Sequence, residues 1–190
     1  MPARFVLTFI FCFGVFSLRA QQNISEGSKP VYHEMFGAFS MPMGSFENAD
    51  KGGAQNGWGI GLQQMKGVAK SDVYLSYCLA YTSQPYTLKG DFLNERFKGN
   101  YNIVNFLFGF GTRTKAPDSF YINFMGGFCY TALGGDLDYD ALTFGMSPGA
   151  GLIIEKNFVI GLKYYYANPT FKYMGQQKIS MLHFIAGVEF

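Results

Sequence analysis

The amino-acid sequence predicts an all-β fold, an eight-stranded antiparallel up-and-down transmembrane β-barrel, and three observations carry that expectation. Large apolar residues recur at every second position through nearly all of the chain beyond residue 33, which is the period of a strand and not the 3.6-residue period of a helix. The opposite face of the same segments carries Gly, Ala, Ser, Asn, Tyr and an occasional charge, residues too small to build the core of a barrel that faces water. The connections between the segments alternate between long and short, as in membrane barrels with long external loops and short periplasmic turns.

Composition narrows the class before any segment is read. The 190 residues are 48% hydrophobic, 18% aromatic and only 15% charged, with 24 Gly, 21 Phe and 13 Tyr. Ordinary domains carry about 25% charged residues. Disorder is excluded by the ample apolar surface and a net charge of only +2. Beyond the first 20 residues there is no apolar run of the length a membrane-spanning helix needs, about 18 residues. No basic patch supports nucleic-acid binding.

Residues 1–20 read as a secretory signal peptide: Arg4, an apolar stretch from Phe5 to Leu18, then Arg19 and Ala20 before a polar run. Cys12 lies inside the apolar stretch behind Phe11, not behind the small residue a lipid-anchoring cysteine needs. Cleavage would remove Arg4 and Arg19 and leave 13 basic against 13 acidic residues, so the positive excess belongs to the signal. Residues 21–32 are expected to be a short periplasmic segment and 33–190 the outer-membrane barrel domain. Cys78 and Cys129 fall on non-neighbouring predicted strands and are expected to be free thiols.

The eight strands are expected near 33–43, 57–66, 71–83, 99–112, 119–132, 143–155, 158–167 and 178–190. In the first, Met35, Phe39 and Met41 compete with Phe36 and Ala38 for the outer face, and the phase stays open. The second presents Trp58, Ile60 and Leu62 outward, and the third Val73, Leu75, Tyr77, Leu79 and Tyr81. Val104, Phe106, Phe108 and Phe110 follow in the fourth, and Phe120, Ile122, Phe124, Phe128 and Tyr130 in the fifth. The sixth carries Ala150, Leu152 and Ile154, the seventh Phe158, Ile160, Leu162, Tyr164 and Tyr166, and the eighth Leu182, Phe184, Ala186, Val188 and Phe190.

Connections at 44–56, 84–98, 133–142 and 168–177 are the longer ones, and those at 67–70, 113–118 and 156–157 are short. With both termini periplasmic, the longer set falls outside. That topology gathers Trp58, Tyr81, Tyr130 and Tyr166 at the outer rim as an aromatic girdle, and Phe110, Phe120, Phe158 and Phe190 at the periplasmic rim.

With these features the chain resembles the small outer-membrane β-barrel proteins of the OmpA/OmpX-like class. Ser147-Pro148-Gly149-Ala150-Gly151-Leu152 followed by Glu155-Lys156-Asn157 is similar to the penultimate hairpin of the outer-membrane barrel domain common in Bacteroidota. The resemblance implies that the barrel-assembly machinery reads the terminal aromatic strand, with Phe190 as the assembly signal. It also implies contact with outer-membrane lipid and lipopolysaccharide, and no cofactor. The chain ends with the barrel, so no appended peptidoglycan-binding domain is expected.

Candidate chemistry is thin. An eight-stranded barrel encloses an interior filled by side chains, whereas an aqueous channel needs about sixteen strands. The expected lumen residues include Gln63, Tyr74, Ser76, Asn105, Tyr121, Asn123, Lys163, Tyr165, His183 and Glu189. Lys163 and His183 lie on adjacent strands, with Glu34 or Glu189 as counter-charge. The polar cluster Lys163, His183, Glu189, Asn123 and Gln63 reads first as a charge-paired barrel interior. A structural, loop-presenting or complex-accessory role without an open pore is the leading expectation. A lipid A deacylase or acyltransferase and a narrow channel or small-ligand transporter are the alternatives.

Catalysis is disfavoured because Ser180 and His183, three apart on one strand, point to opposite faces. Asp136, Asp138 and Asp140 lack the Gly and Glu spacing of a calcium loop, since Ala141 and Ser147 stand at those positions. Loops 44–56 and 84–98 are the candidate surfaces for an external protein or glycan partner, the second because it mixes Tyr86, Phe92, Leu93 and Phe97 with paired charges.

Overall fold

A computed structural model describes residues 31–68, 72–90, 95–114, 118–155, 157–172 and 174–190. The expected export signal, most of the segment 21–32, and Phe92 and Leu93 of the second loop lie outside the described residues. Eight long strands build the fold: β1 (Val31–Pro42), β2 (Gly57–Gly67), β3 (Val73–Lys89), β4 (Arg96–Arg113), β5 (Ser119–Gly135), β6 (Tyr139–Ile154), β7 (Phe158–Ala167) and β10 (Ile179–Glu189). Between β7 and β10 a small ribbon pairs β8 (Thr170–Phe171) with β9 (Gly175–Gln176). The long strands form a closed antiparallel barrel in chain order, with β10 sealing against β1.

The register sets how wide the barrel can be. Following paired residues from Glu34 through Gln63, Cys78, Leu107, Gly127, Gly145 and Ala167 returns to β10 at Ile179, whereas Glu34 itself pairs with Glu189, a stagger of ten residues. Eight strands with that stagger tilt by about 40° and enclose a bore that side chains can fill. Glu34 and Phe36 face inward while Met35, Gly37, Phe39 and Met41 face outward, which settles the phase of the first strand. Phe36 fits because Gly61 lies beside it on β2, where an added Cβ would strike the ring.

Large apolar side chains are exposed on every barrel strand, among them Phe39, Trp58, Leu75, Phe108, Phe124, Phe144, Phe158 and Phe184. The inner face is packed in layers. Tyr121, Ile153 and Val159 cluster toward the end that carries the chain terminus. Phe36, Cys78, Leu107, Met125 and Ile185 pack together above them. Tyr86, Leu88, Tyr101, Ile103, Leu133 and Phe171 close the loop end.

Strands β3 to β6 extend past their expected ends. The segment 84–98 is mainly a continuation of the β3–β4 hairpin, paired as far as Lys89 and Arg96, rather than an open loop. The physical reason is an inversion of polarity. Up to Tyr81 the outward side chains of β3 are apolar, but beyond it Gln84, Tyr86 and Leu88 are buried while Pro85 and Lys89 are exposed. β4 repeats the inversion, with Tyr101 and Ile103 buried opposite Asn100 and Lys98. The strand period persists while apolar and polar side chains trade faces, so the far half of the hairpin has the alternation of a sheet with a packed inner face and a watered outer one.

Candidate functional site

The polar groups of the lumen form two connected stations. Near the terminal end, the Arg113 Nη1 donates to Glu189 Oε2 at 2.7 Å and Nη2 donates to Ser119 Oγ at 3.3 Å. The same guanidinium lies 4.0 Å above the Tyr32 ring. β4 and β10 stand four strands apart in a ring of eight, so the ion pair bridges opposite walls. Its side chains are 8% and 6% exposed, which removes most of the water that screens surface pairs.

Deeper in the bore, the Lys163 Nζ donates to Gln63 Oε1 at 2.7 Å and sits 3.9 Å from the centre of the Phe36 ring. Asn123 Nδ2 reaches the same Gln63 oxygen at 3.5 Å. Lys163 and His183 are direct cross-strand partners, and the His183 ring meets Tyr165 edge-on at 6.3 Å. Glu34 is 1% exposed, and neither of its carboxylate oxygens has a hydrogen-bond partner among the described residues. All ten expected lumen residues are buried. Gln63, Asn123 and Lys163 come together as one hydrogen-bonded group; Glu189 is drawn away from it by Arg113.

The four aromatics expected at the outer rim, Trp58, Tyr81, Tyr130 and Tyr166, sit on strands β2, β3, β5 and β7. Trp58 and Tyr81 meet edge-on at 5.7 Å, Tyr81 donates to Asn102 Oδ1 at 2.7 Å, and Tyr130 donates to Asp140 Oδ2 at 2.8 Å. At the other rim Phe190 stacks on His33 at 5.9 Å, and the two residues exchange both backbone hydrogen bonds. The C-terminal residue therefore completes the β1–β10 seam.

Ser180 and His183 face opposite ways. Ser180 Oγ donates to the Met43 carbonyl at 2.7 Å, while the His183 ring is buried in the lumen. The loop acids are similarly committed: Asp136 accepts from the Lys98 backbone N–H at 2.7 Å and Asp140 holds Tyr130. Among the described residues no group of three or more His, Cys, Asp or Glu is placed to hold a metal. Cys78 and Cys129 are free and buried, on strands separated by β4.

The residue that sequence reasoning missed is Arg113, assigned to a short turn. Its signal was present, because Asn105, Leu107, Gly109 and Gly111 continue to Arg113 on one strand face. The anchoring of the 44–56 loop was also not foreseen. Phe46 is buried against Tyr101 at 4.9 Å, and Tyr101 Oη donates to the Gly52 carbonyl at 2.9 Å. Backbone bonds from Gln55 to Pro85, Thr87 to Gly53 and Lys89 to Ala49 zip this loop onto the free edge of β3 above the end of β2. An unpaired edge strand is thereby covered.

No protein-family model matches the sequence, and no curated protein matches it. Solved structures do share the fold. Ail, the attachment invasion locus protein of Yersinia pestis, superposes with a TM-score of 0.53 at 14% identity, over 86% of this chain and 99% of that one. Neisserial surface protein A (NspA) gives 0.54 at 13% identity, over 86% and 98%. The outer membrane protein OprG from Pseudomonas aeruginosa gives 0.50 at 12% identity, over 86% and 98%. The barrel is thus similar in fold to small eight-stranded outer-membrane proteins of the OmpA/OmpX-like class.

Proposed function

We propose that this chain is an integral outer-membrane protein of Gram-negative type, exported through a cleaved signal, with a closed lumen and a structural, loop-presenting or complex-accessory role. The observation that carries this reading is the belt of exposed large apolar side chains around a barrel whose interior is already filled. A water-soluble protein rarely leaves a contiguous apolar patch beyond about 300–600 Å² exposed, and here the exposure encircles the molecule. Lipid and the acyl chains of lipopolysaccharide are the natural cover. The packed layers from Tyr121 to Tyr86 argue against a diffusion pore, and the opposed directions of Ser180 and His183 argue against acyl transfer by that pair.

The exposed terminal Phe190, paired to His33, supports reading by the barrel-assembly machinery during insertion. The likeness of the Ser147–Asn157 hairpin supports a place with the Bacteroidota barrel domain. The test is membrane fractionation with gel mobility of boiled against unboiled protein, and conductance in a planar bilayer. An outer-membrane fraction, a faster unboiled band and no conductance are expected. A soluble periplasmic location without a heat-dependent shift overturns the barrel reading, and a steady open conductance overturns the closed lumen.

A further inference from the structure

The barrel closes where β10 meets β1, the two ends of the chain's eight-strand path, whereas every other seam joins strands that follow one another along the chain. This seam carries an electrostatic conflict. His33 and Phe190 exchange both backbone bonds, so the next pair inward, Glu34 and Glu189, is of the non-hydrogen-bonded type in which side chains stand closest. Both carboxylates point into the lumen, at 1% and 6% exposure, with little water between them. Like charges placed directly opposite each other destabilise a strand pair.

Arg113 reaches this conflict from the opposite wall and touches both sides of the seam. Its guanidinium donates to Glu189 of β10 at 2.7 Å and lies 4.0 Å above the ring of Tyr32 on β1, which itself leans on Tyr74 of β3 at 5.8 Å. The second arm of the fork donates to Ser119 at 3.3 Å, across the turn of Arg113's own β4–β5 hairpin. Lys163, the other cation of the bore, is held by Gln63 and the Phe36 ring. A steric key also serves the seam, since Phe36 opposes Gly187, where an added Cβ would come 2.9 Å from the Phe36 Cβ. That key selects the register but leaves the two carboxylates facing each other.

We propose that Arg113 is the closure latch of the barrel: it neutralises Glu189 as the last strand docks beside Glu34, so that sealing of β10 against β1 depends on it while formation of the sheet does not. The order of events follows from chain separation. Hairpins between consecutive strands form from local contacts, whereas joining the two ends pays the loop-closure entropy of the whole sheet and comes late. Arg113 sits at the end of β4 and is oriented by Ser119, so it is in place once its own hairpin has formed, before β10 arrives. Closure of the sheet on itself is the same step whether lipid or detergent surrounds the barrel.

The experiment refolds the full chain from urea into detergent micelles, in a Cys78→Ala/Cys129→Ala background, and traps disulfides with an oxidant at timed intervals. Met35→Cys/Val188→Cys reports the seam and Phe128→Cys/Phe144→Cys reports the β5–β6 sheet, since each pair is directly opposed on the outer face. Opposed Cα atoms stand about 4.5–5.5 Å apart, within reach of a disulfide. With Arg113 present, the seam pair should form soon after the sheet pair. In Arg113→Met the sheet pair should keep its rate while the seam pair lags tenfold or more. The lag should vanish in Arg113→Met/Glu189→Gln, where no second carboxylate enters the seam. It should also be absent from Gly151→Ala, which overpacks the lumen at Tyr121 without touching these charges. A seam that keeps pace with the sheet in Arg113→Met, a lag that survives Glu189→Gln, an equal lag in Gly151→Ala, or loss of both disulfides in Arg113→Met overturns the proposal.

Discussion

Arg113 and Glu189 face each other at 2.7 Å from opposite walls of the barrel, each almost wholly buried. The pair ties the β4–β5 hairpin, through Ser119, to the last strand before the chain ends. Removing one partner leaves an uncompensated buried charge, which costs about 3–5 kcal/mol. Arg113→Met or Glu189→Leu alone should therefore lower the temperature at which the unboiled band converts to the slow form. The double variant Arg113→Met/Glu189→Leu should recover most of that loss, since an apolar pair has no desolvation cost to offset. A double variant no better than the worse single one would show that the pair acts through something other than its charge.

Glu34 and Lys163 offer a second test by coupling. Glu34 is buried without a hydrogen-bond partner, and Lys163 is a cation held within the same bore by Gln63 and the Phe36 ring. If the ammonium offsets the carboxylate, Lys163→Met destabilises the native protein by at least about 1 kcal/mol more than it does in a Glu34→Gln background, the scale of coupling between interacting neighbours. Additive effects, read by denaturant unfolding in micelles, would separate the two residues energetically.

The two faces of the barrel should respond unequally to one added methyl group. A Cβ at Gly151 would come 2.6 Å from the Tyr121 ring in the filled lumen, whereas one at Gly37, on the outer face, has its nearest neighbour at 4.0 Å. Gly151→Ala is expected to cost about 1–3 kcal/mol through overpacking, and Gly37→Ala to be close to neutral. Thermal conversion of the unboiled band distinguishes them.

Phe46 anchors the 44–56 loop to the loop end of the barrel. Its ring is 1% exposed and packs on Tyr101. Phe46→Ala should release the loop, making the exposed peptide bonds around Glu47 to Lys51 cleavable by added protease while the gel shift is kept. Local opening of this kind leaves the rest of a fold intact. A protected loop in the variant would mean that the backbone bonds to β3 suffice without the ring.

Much of the site was legible because strand alternation is a local property. Once Val104 and Phe106 are assigned outward, Asn105 must face inward, and the same rule placed Gln63, Asn123, Lys163 and His183 in the lumen. It also paired Lys163 with His183, since neighbouring strands follow chain order. The rule was stopped one residue too early at Arg113, which was placed in the 113–118 connection although it continues the inward row of β4. It was also hidden along 84–98, because the outward positions there change from apolar to polar while the backbone stays extended.

The sequence by itself determined the all-β class, the eight strands and, beyond the first strand, the alternation that sorts most mid-strand side chains between the two faces, because a period of two follows from the geometry of an extended chain. The phase of the first strand came only from the structure. Only the tertiary structure decided which lumen groups meet. Arg113 reaches Glu189, and Lys163 reaches Gln63 instead of a carboxylate, because a stagger of ten residues over eight strands sets the tilt of the walls and the height at which opposite side chains face one another. That closure is a non-local quantity, fixed only when β10 pairs with β1, and no spacing within a single strand encodes it.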